Sequence, residues 1–123
     1  MKKILLVEDE DLFAKLVAKL LTELGYAVVR ARNGKEALLR YDPHIVDLVL
    51  TDLIMPDMEG VELILALRKV HPGVKIIAMT GGGRNRPEAY LQVAQRLGAI
   101  RTLTKPFSTA DLAQAVQVCL EQA

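Results

Sequence analysis

The sequence predicts an α/β domain with a parallel sheet and helices on both faces. Three observations carry this. Short β-rich apolar runs alternate with segments of helical periodicity along the whole chain, a (βα)₅ pattern. Gly, Pro and Ser punctuate the joins between them. The unusual polar residues fall just after the apolar runs rather than within them.

The elements follow in order. Lys3–Val7 reads as the first strand. Residues 11–24 place Leu12, Phe13, Leu16, Val17, Leu20, Leu21 and Leu24 on one helical face, with Gly25 as the cap. Ala27–Ala31 is the second strand, and 34–41 a shorter, weaker helix. Val46–Thr51 is the third strand, its apolar run broken by Asp47. Ile64, Leu67 and Val70 fit a helix over 60–70, and Lys75–Met79 fits the fourth strand. Residues 87–97 form the fourth helical pattern through Tyr90, Val93, Ala94 and Leu97, with Pro87 early and Gly98 after the end. Thr102–Leu103 is the fifth strand. Ser108 opens the last helix, Asp111 completes a capping-box pattern, and Leu112, Val116 and Leu120 give it an apolar face. No linker, repeat or low-complexity segment interrupts this order. The expectation is therefore a single domain over 1–123 with no output domain, which acts by binding.

Composition narrows the function classes. A chain of 123 residues can bury roughly two-thirds of its unfolded surface, so it needs no disulfide or metal staple. With 51% hydrophobic and 25% charged residues it is an ordinary globular sequence. A net charge of +1 gives no support to a nucleic-acid or anionic-membrane partner. Cys119 is the only cysteine, so no disulfide forms within the chain, and a reducing compartment is the simple reading. The opening MKKILLVEDE turns acidic too early for a signal peptide. No apolar stretch approaches the ~20 residues of a membrane helix. A soluble, cytoplasmic protein without membrane insertion is expected.

The polar residues at the strand ends point to chemistry. Glu8 and Asp9 follow the first strand, Asp52 the third, Thr80 the fourth and Lys105 the fifth. All lie at carboxyl ends, where open α/β sheets bind ligands. The second strand contributes none. Carboxylates gathered in one crevice repel, and a hard divalent cation relieves that repulsion. An oxygen-only donor set suits Mg²⁺, with phosphate and water completing its octahedron. A carboxylate can also accept a phosphoryl group covalently, and Asp52 is placed to do so. Lys105 adds a point charge and Thr80 a hydroxyl donor.

The stretches "LLVEDE", "LTDLIMPDMEG", "IIAMTGGG" and "LTKPF", in that order and spacing, make the whole chain resemble the CheY-like receiver domain of two-component response regulators. The resemblance implies a flavodoxin-like doubly wound sheet of strand order 2-1-3-4-5, in which the silent second strand is an edge. It implies Glu8, Asp9, Asp52 and the Ile54 backbone carbonyl as Mg²⁺ ligands. It implies Asp52 as the phospho-acceptor of a phosphorelay, Thr80 as the phosphate-sensing hydroxyl, Lys105 as the phosphate partner and a cis Lys105–Pro106 bond. The implied partners are a sensor histidine kinase or phosphotransfer protein upstream, and downstream a target protein. That target would bind the face of the fourth helix, fifth strand and last helix. Such a phosphoprotein is a signalling module, not an enzyme, beyond self-phosphorylation and autodephosphorylation.

Taken singly, these residues have plainer readings. The negative charge of Asp11 and Glu10 suits a helix N-terminus, Asp52 could be a turn residue, and Lys105 a solvated charge. The constellation carries the inference. Gly81, Gly82 and Gly83 lack phosphate-loop spacing. His44 and His71 read as surface loop residues and Cys119 as packing. Arg84, Arg86, Arg96, Arg101 and Lys105 form a basic region that reads first as a solvated face, with an acidic partner surface as the sharper reading. Many receivers carry an aromatic switch three residues before the conserved lysine, where this chain has Thr102. A phosphate-independent interaction module is the alternative, and the intact acidic and basic residues oppose it. An FMN carrier would need aromatic stacking that three Tyr and two Phe do not obviously supply. An aspartyl-phosphate phosphatase would need a second acid where Ile54 stands.

Overall fold

The apolar runs form a parallel sheet because most of their side chains are hidden on both faces, which favours continuous rather than alternating hydrophobicity. In the computed structural model, which describes residues 1–53, 60–81, 92, 95–96, 98 and 101–121, the strands are β1 (Lys3–Val7), β2 (Ala27–Ala31), β3 (Leu48–Asp52), β4 (Ile76–Gly81) and β5 (Arg101–Lys105). They pair in the order β2-β1-β3-β4-β5, all parallel. The helices are α1 (Asp11–Glu23), α2 (Gly34–Arg40), α3 (Gly60–Val70) and α4 (Thr109–Glu121).

Alternation along each strand splits the core into two layers. Leu5, Val7 and Val49 pack with Ala37 of α2 and Leu63, Ile64 and Leu67 of α3. Ile4, Leu6, Leu48 and Leu50 pack on the other face with Ala14, Val17 and Leu21 of α1 and with Leu112, Val116 and Cys119 of α4. Each such Leu or Ile, fully buried, contributes about 1.5–3 kcal/mol of transfer free energy. Cys119 is therefore a packing residue, as its place on the apolar face suggests.

Local signals fix the helix ends. Gly25 takes φ 98°, Gly25 N–H donates to Thr22 O at 3.0 Å, and Tyr26 N–H to Leu21 O at 3.1 Å. This is the left-handed stop that glycine permits. Asn33 caps α2 by accepting from Glu36 N–H at 2.8 Å. Ser108 and Asp111 form the reciprocal box: Asp111 N–H donates to Ser108 Oγ at 3.0 Å, and Ser108 N–H to Asp111 Oδ2 at 3.4 Å.

Several expectations need correction. The third strand begins at Leu48 rather than Val46. Asp47 instead bonds the start of β1, accepting from Lys3 N–H through its carboxylate and donating its own N–H to Lys3 O, both at 2.8 Å. β4 and β5 extend to Gly81 and Lys105, two residues past the expected ends, because their ladder continues through Gly81↔Lys105. On α1, Leu12 and Leu16 are 78% and 53% exposed. The run of leucines spans two adjacent rows of the helix, and the sheet covers the row of Ala14, Val17 and Leu21. Most of the expected helix over 87–97, including Pro87, Tyr90, Val93, Ala94 and Leu97, lies outside the described residues. Gln92, Gln95 and Arg96 are helical, and Gly98 follows with φ 106°.

Candidate functional site

The carboxyl ends of β1, β3, β4 and β5 lie level with one another, because the register pairs Val7 with Thr51, Asp52 with Met79, and Gly81 with Lys105. Glu8 and Asp9 emerge directly after β1, Asp52 ends β3, Thr80 stands one residue before the end of β4, and Lys105 ends β5. The structure thus brings together the acidic pair, Asp52 and Lys105 expected from sequence. Ile54, and with it the fourth ligand implied by the resemblance, lies outside the described residues. The Lys105–Pro106 peptide is cis.

Glu8, Asp9 and Asp52 each offer a carboxylate oxygen within 4.8 Å of the others. Glu8 and Asp52 are buried and Asp9 is exposed. Lys105 Nζ donates to Glu8 Oε1 and to Asp52 Oδ2, each at 2.7 Å. Glu8 Oε2 accepts from Glu10 N–H at 3.1 Å. Burial pushes the Glu8 carboxyl above its ordinary range, against the opposing pull of Lys105 and the Glu10 N–H. Burial also pulls the Lys105 ammonium down, but its bonds to Asp52 and Glu8 outweigh this and hold it above the ordinary lysine range.

The donor set is all oxygen, anionic and clustered, so these residues fit a hard divalent cation. Thr80 adds a second feature. Its Oγ1 is buried and has no hydrogen-bond partner among the described residues. A buried hydroxyl left unpaired costs about 1–3 kcal/mol, and among the described residues this one keeps its donor available.

Two neighbours escaped the sequence reading. Lys105 Nζ lies 4.2 Å from the ring centroid of Phe13, and Phe107 meets that ring edge-on at 5.8 Å. In the sequence Phe13 is only one of the apolar residues on the helical face of 11–24. Arg30 of β2 bonds the backbone carbonyls of Glu8 and Asp9, so the second strand does serve this region. Alternation on an edge strand leaves such a residue looking solvated.

The remaining candidates lie elsewhere. His71 is half-buried and its Nδ1 pairs with Tyr41 Oη at 2.9 Å, so it is more than a loop residue, while His44 is exposed. Burial pushes the Cys119 thiol up. In the basic region Arg96 is exposed and Arg101 half-buried, whereas Arg84 and Arg86 lie outside the described residues. Thr102 sits half-buried in β5. Among the described residues no helix is long and apolar enough to cross a membrane.

Comparison with known proteins gives a consistent picture. The family model for the response regulator receiver domain matches residues 4–117. Transcriptional regulatory protein GlrR of Escherichia coli is 40% identical over 119 residues, covering 97% of this chain but 26% of that protein. Chemotaxis protein CheY of Thermotoga maritima is 31% identical over 116 residues, covering 94% of each. Among solved structures, a response regulator receiver domain protein from Clostridium thermocellum superposes with a TM-score of 0.91 at 28% identity, covering 98% of this chain and 94% of that one.

Proposed function

The chain belongs to the response regulator receiver family, and from that membership we propose that it relays a two-component signal through a phosphoryl group carried on Asp52. The donor is a sensor histidine kinase or a phosphotransfer protein. An Asp52 carboxylate oxygen attacks phosphorus, the P–N bond to the donor imidazole breaks, and its electron pair stays on the ring nitrogen. The product is an acyl phosphate. Glu8, Asp9 and Asp52 would hold Mg²⁺, with the Ile54 carbonyl as the further ligand that the family resemblance implies. When bound, the ion offsets the charge of the carboxylates and of the phosphoryl oxygens. Lys105 supplies a second cation to those oxygens, and Thr80 donates its hydroxyl to one of them. The same residues permit self-phosphorylation by small donors and slow loss of the phosphoryl group to water. The phosphorylated form then binds a target protein through the face that includes β5 and α4.

The observation that supports this most is the pair of 2.7 Å bonds from Lys105 to Glu8 and Asp52, within a three-carboxylate cluster. Acetyl phosphate and Mg²⁺ should add one phosphoryl mass to the chain. EDTA and Asp52→Asn should each abolish the addition. Equal labelling of Asp52→Asn would rule Asp52 out as the acceptor.

A further inference from the structure

Arg30 reaches from edge strand β2 to the loop that carries the acidic pair. Its Nε and Nη2 donate to the Glu8 carbonyl at 3.2 and 2.8 Å. Nη2 also donates to the Asp9 carbonyl at 3.3 Å, and Nη1 to Asp11 Oδ1 at 2.7 Å. One planar group therefore bonds two residues of the segment between β1 and α1 and the first residue of α1. The β1–β2 ladder runs to Val7↔Ala31 and closes with Glu8 N–H on Ala31 O at 3.0 Å. Beyond that bond the sheet no longer dictates the path of the chain, and Arg30 takes over.

We propose that Arg30 is the positioning residue of the acidic pair, clamping the Glu8 and Asp9 carbonyls so that both carboxylates are held ready for a divalent cation. The inference rests on the reading of this crevice as a cation and phosphoryl site. A plain surface ion pair with Asp11 does not account for the geometry. Asp11 is 61% exposed, and such pairs are weak. The carbonyl bonds come from the same guanidinium, whose side chain is 22% exposed. Arg30 holds no ligand side chain, but it fixes the backbone from which two project, and supporting contacts of this kind govern ligand orientation.

Charge and geometry act in opposite directions here. A cation near a cation site weakens binding, whereas a rigid fork strengthens it. Asp11 Oδ1 sits 2.7 Å from the guanidinium and offsets part of its charge. The fork should therefore dominate. A lysine in its place would keep the charge and lose the planar, multiple-donor geometry.

The test uses the full chain, with Mg²⁺ affinity by calorimetry and amide exchange by NMR. Arg30→Gln and Arg30→Lys should both fold and weaken Mg²⁺ binding, by about tenfold for Gln. The Asp9 and Glu10 amides should exchange faster in both, even without Mg²⁺. The phosphorylation rate with acetyl phosphate at saturating Mg²⁺ should stay near wild type. Asp11→Asn, which spares the carbonyl bonds and removes only part of the charge compensation, should weaken Mg²⁺ binding clearly less than Arg30→Gln. An Arg30→Gln chain that binds Mg²⁺ as well as or better than wild type overturns the clamp, and so does Asp11→Asn weakening binding as much as Arg30→Gln. The wild-type arm separates the two readings: a wild-type chain that takes up no Mg²⁺ overturns the cation site itself, and the proposal with it. Should Arg30→Gln fail to fold, the milder Arg30→Lys decides by the same criteria.

Discussion

Lys105 Nζ lies 2.7 Å from a carboxylate oxygen of Glu8 and the same distance from one of Asp52, so a single ammonium bridges two buried acids contributed by different strand ends. Removing it takes a shared cation away from both carboxylates. Breaking a buried pair typically costs 3–5 kcal/mol; since the Lys105 side chain is 18% exposed, we expect about 2–4 kcal/mol for Lys105→Ala in the metal-free chain. On the proposed reading of the acidic cluster, Mg²⁺ should bind the folded acids and restore much of that stability. Phosphorylation-dependent partner binding should stay impaired even then. Thermal melts with and without Mg²⁺ check this. A variant that melts equally low in saturating Mg²⁺, yet signals normally, would make Lys105 a purely structural residue.

Phe13 steers that ammonium. Its ring face stands 4.2 Å from Lys105 Nζ, braced by Phe107. A desolvated cation–π contact of this kind is worth about 0.5–2 kcal/mol. Phe13→Leu should therefore lower stability and erase the ring-current shift of the Lys105 ε-methylene protons, while Phe13→Tyr retains both. Proton NMR on the chain gives the answer, and an unchanged shift in Phe13→Leu would dissociate the ring from Lys105.

Gly60 has no room for a side chain. A Cβ there would lie 2.5 Å from the Asp52 carbonyl oxygen and 2.5 Å from Leu53 Cα. Its N–H also donates to Leu53 O at 2.8 Å, which seats the start of α3 against the end of β3. Gly60→Ala must push the backbone that carries Asp52, so it should cost about 1–3 kcal/mol as overpacking does. It should also slow phosphorylation by more than that loss of folded protein explains. A fully stable Gly60→Ala with normal kinetics would contradict the close approach.

Much of this was legible because the signals are local. β1 and β2 match their sequence boundaries, since apolar runs bounded by polar residues leave little choice of register. The gathering of Glu8, Asp9, Asp52 and Lys105 was legible because parallel strands deliver their carboxyl ends to one edge. What stayed hidden depends on tertiary choices. Nothing in the spacing of Leu12 and Leu16 says which of two leucine rows the sheet will cover. Arg30 binds carbonyls, which every residue possesses, so no partner side chain announces it. Asp47 shortens β3 through a bond to Lys3, a residue 44 positions away.

Thr80 should trade stability for function. Its side-chain oxygen is buried in β4 without a partner among the described residues. Thr80→Val replaces that hydroxyl by a methyl of similar size. Valine suits a strand at least as well as threonine. The fold then no longer hides an unpaired polar atom, a relief of about 1–3 kcal/mol at most. The unphosphorylated chain should melt no lower than wild type, and higher if no water reaches the hydroxyl. The phosphorylated chain loses a donor to a phosphoryl oxygen, so its partner affinity should drop, while Mg²⁺ affinity, set by the carboxylates, stays put. Site-directed gain in one property with loss in another is expected where a polar group is kept for a ligand rather than for the fold. Denaturant melts beside partner-binding titrations, each with and without phosphorylation, would show the split. If Thr80→Val is instead destabilised by more than ~1 kcal/mol, a water or another group satisfies the hydroxyl in the resting chain. Its role would then be structural.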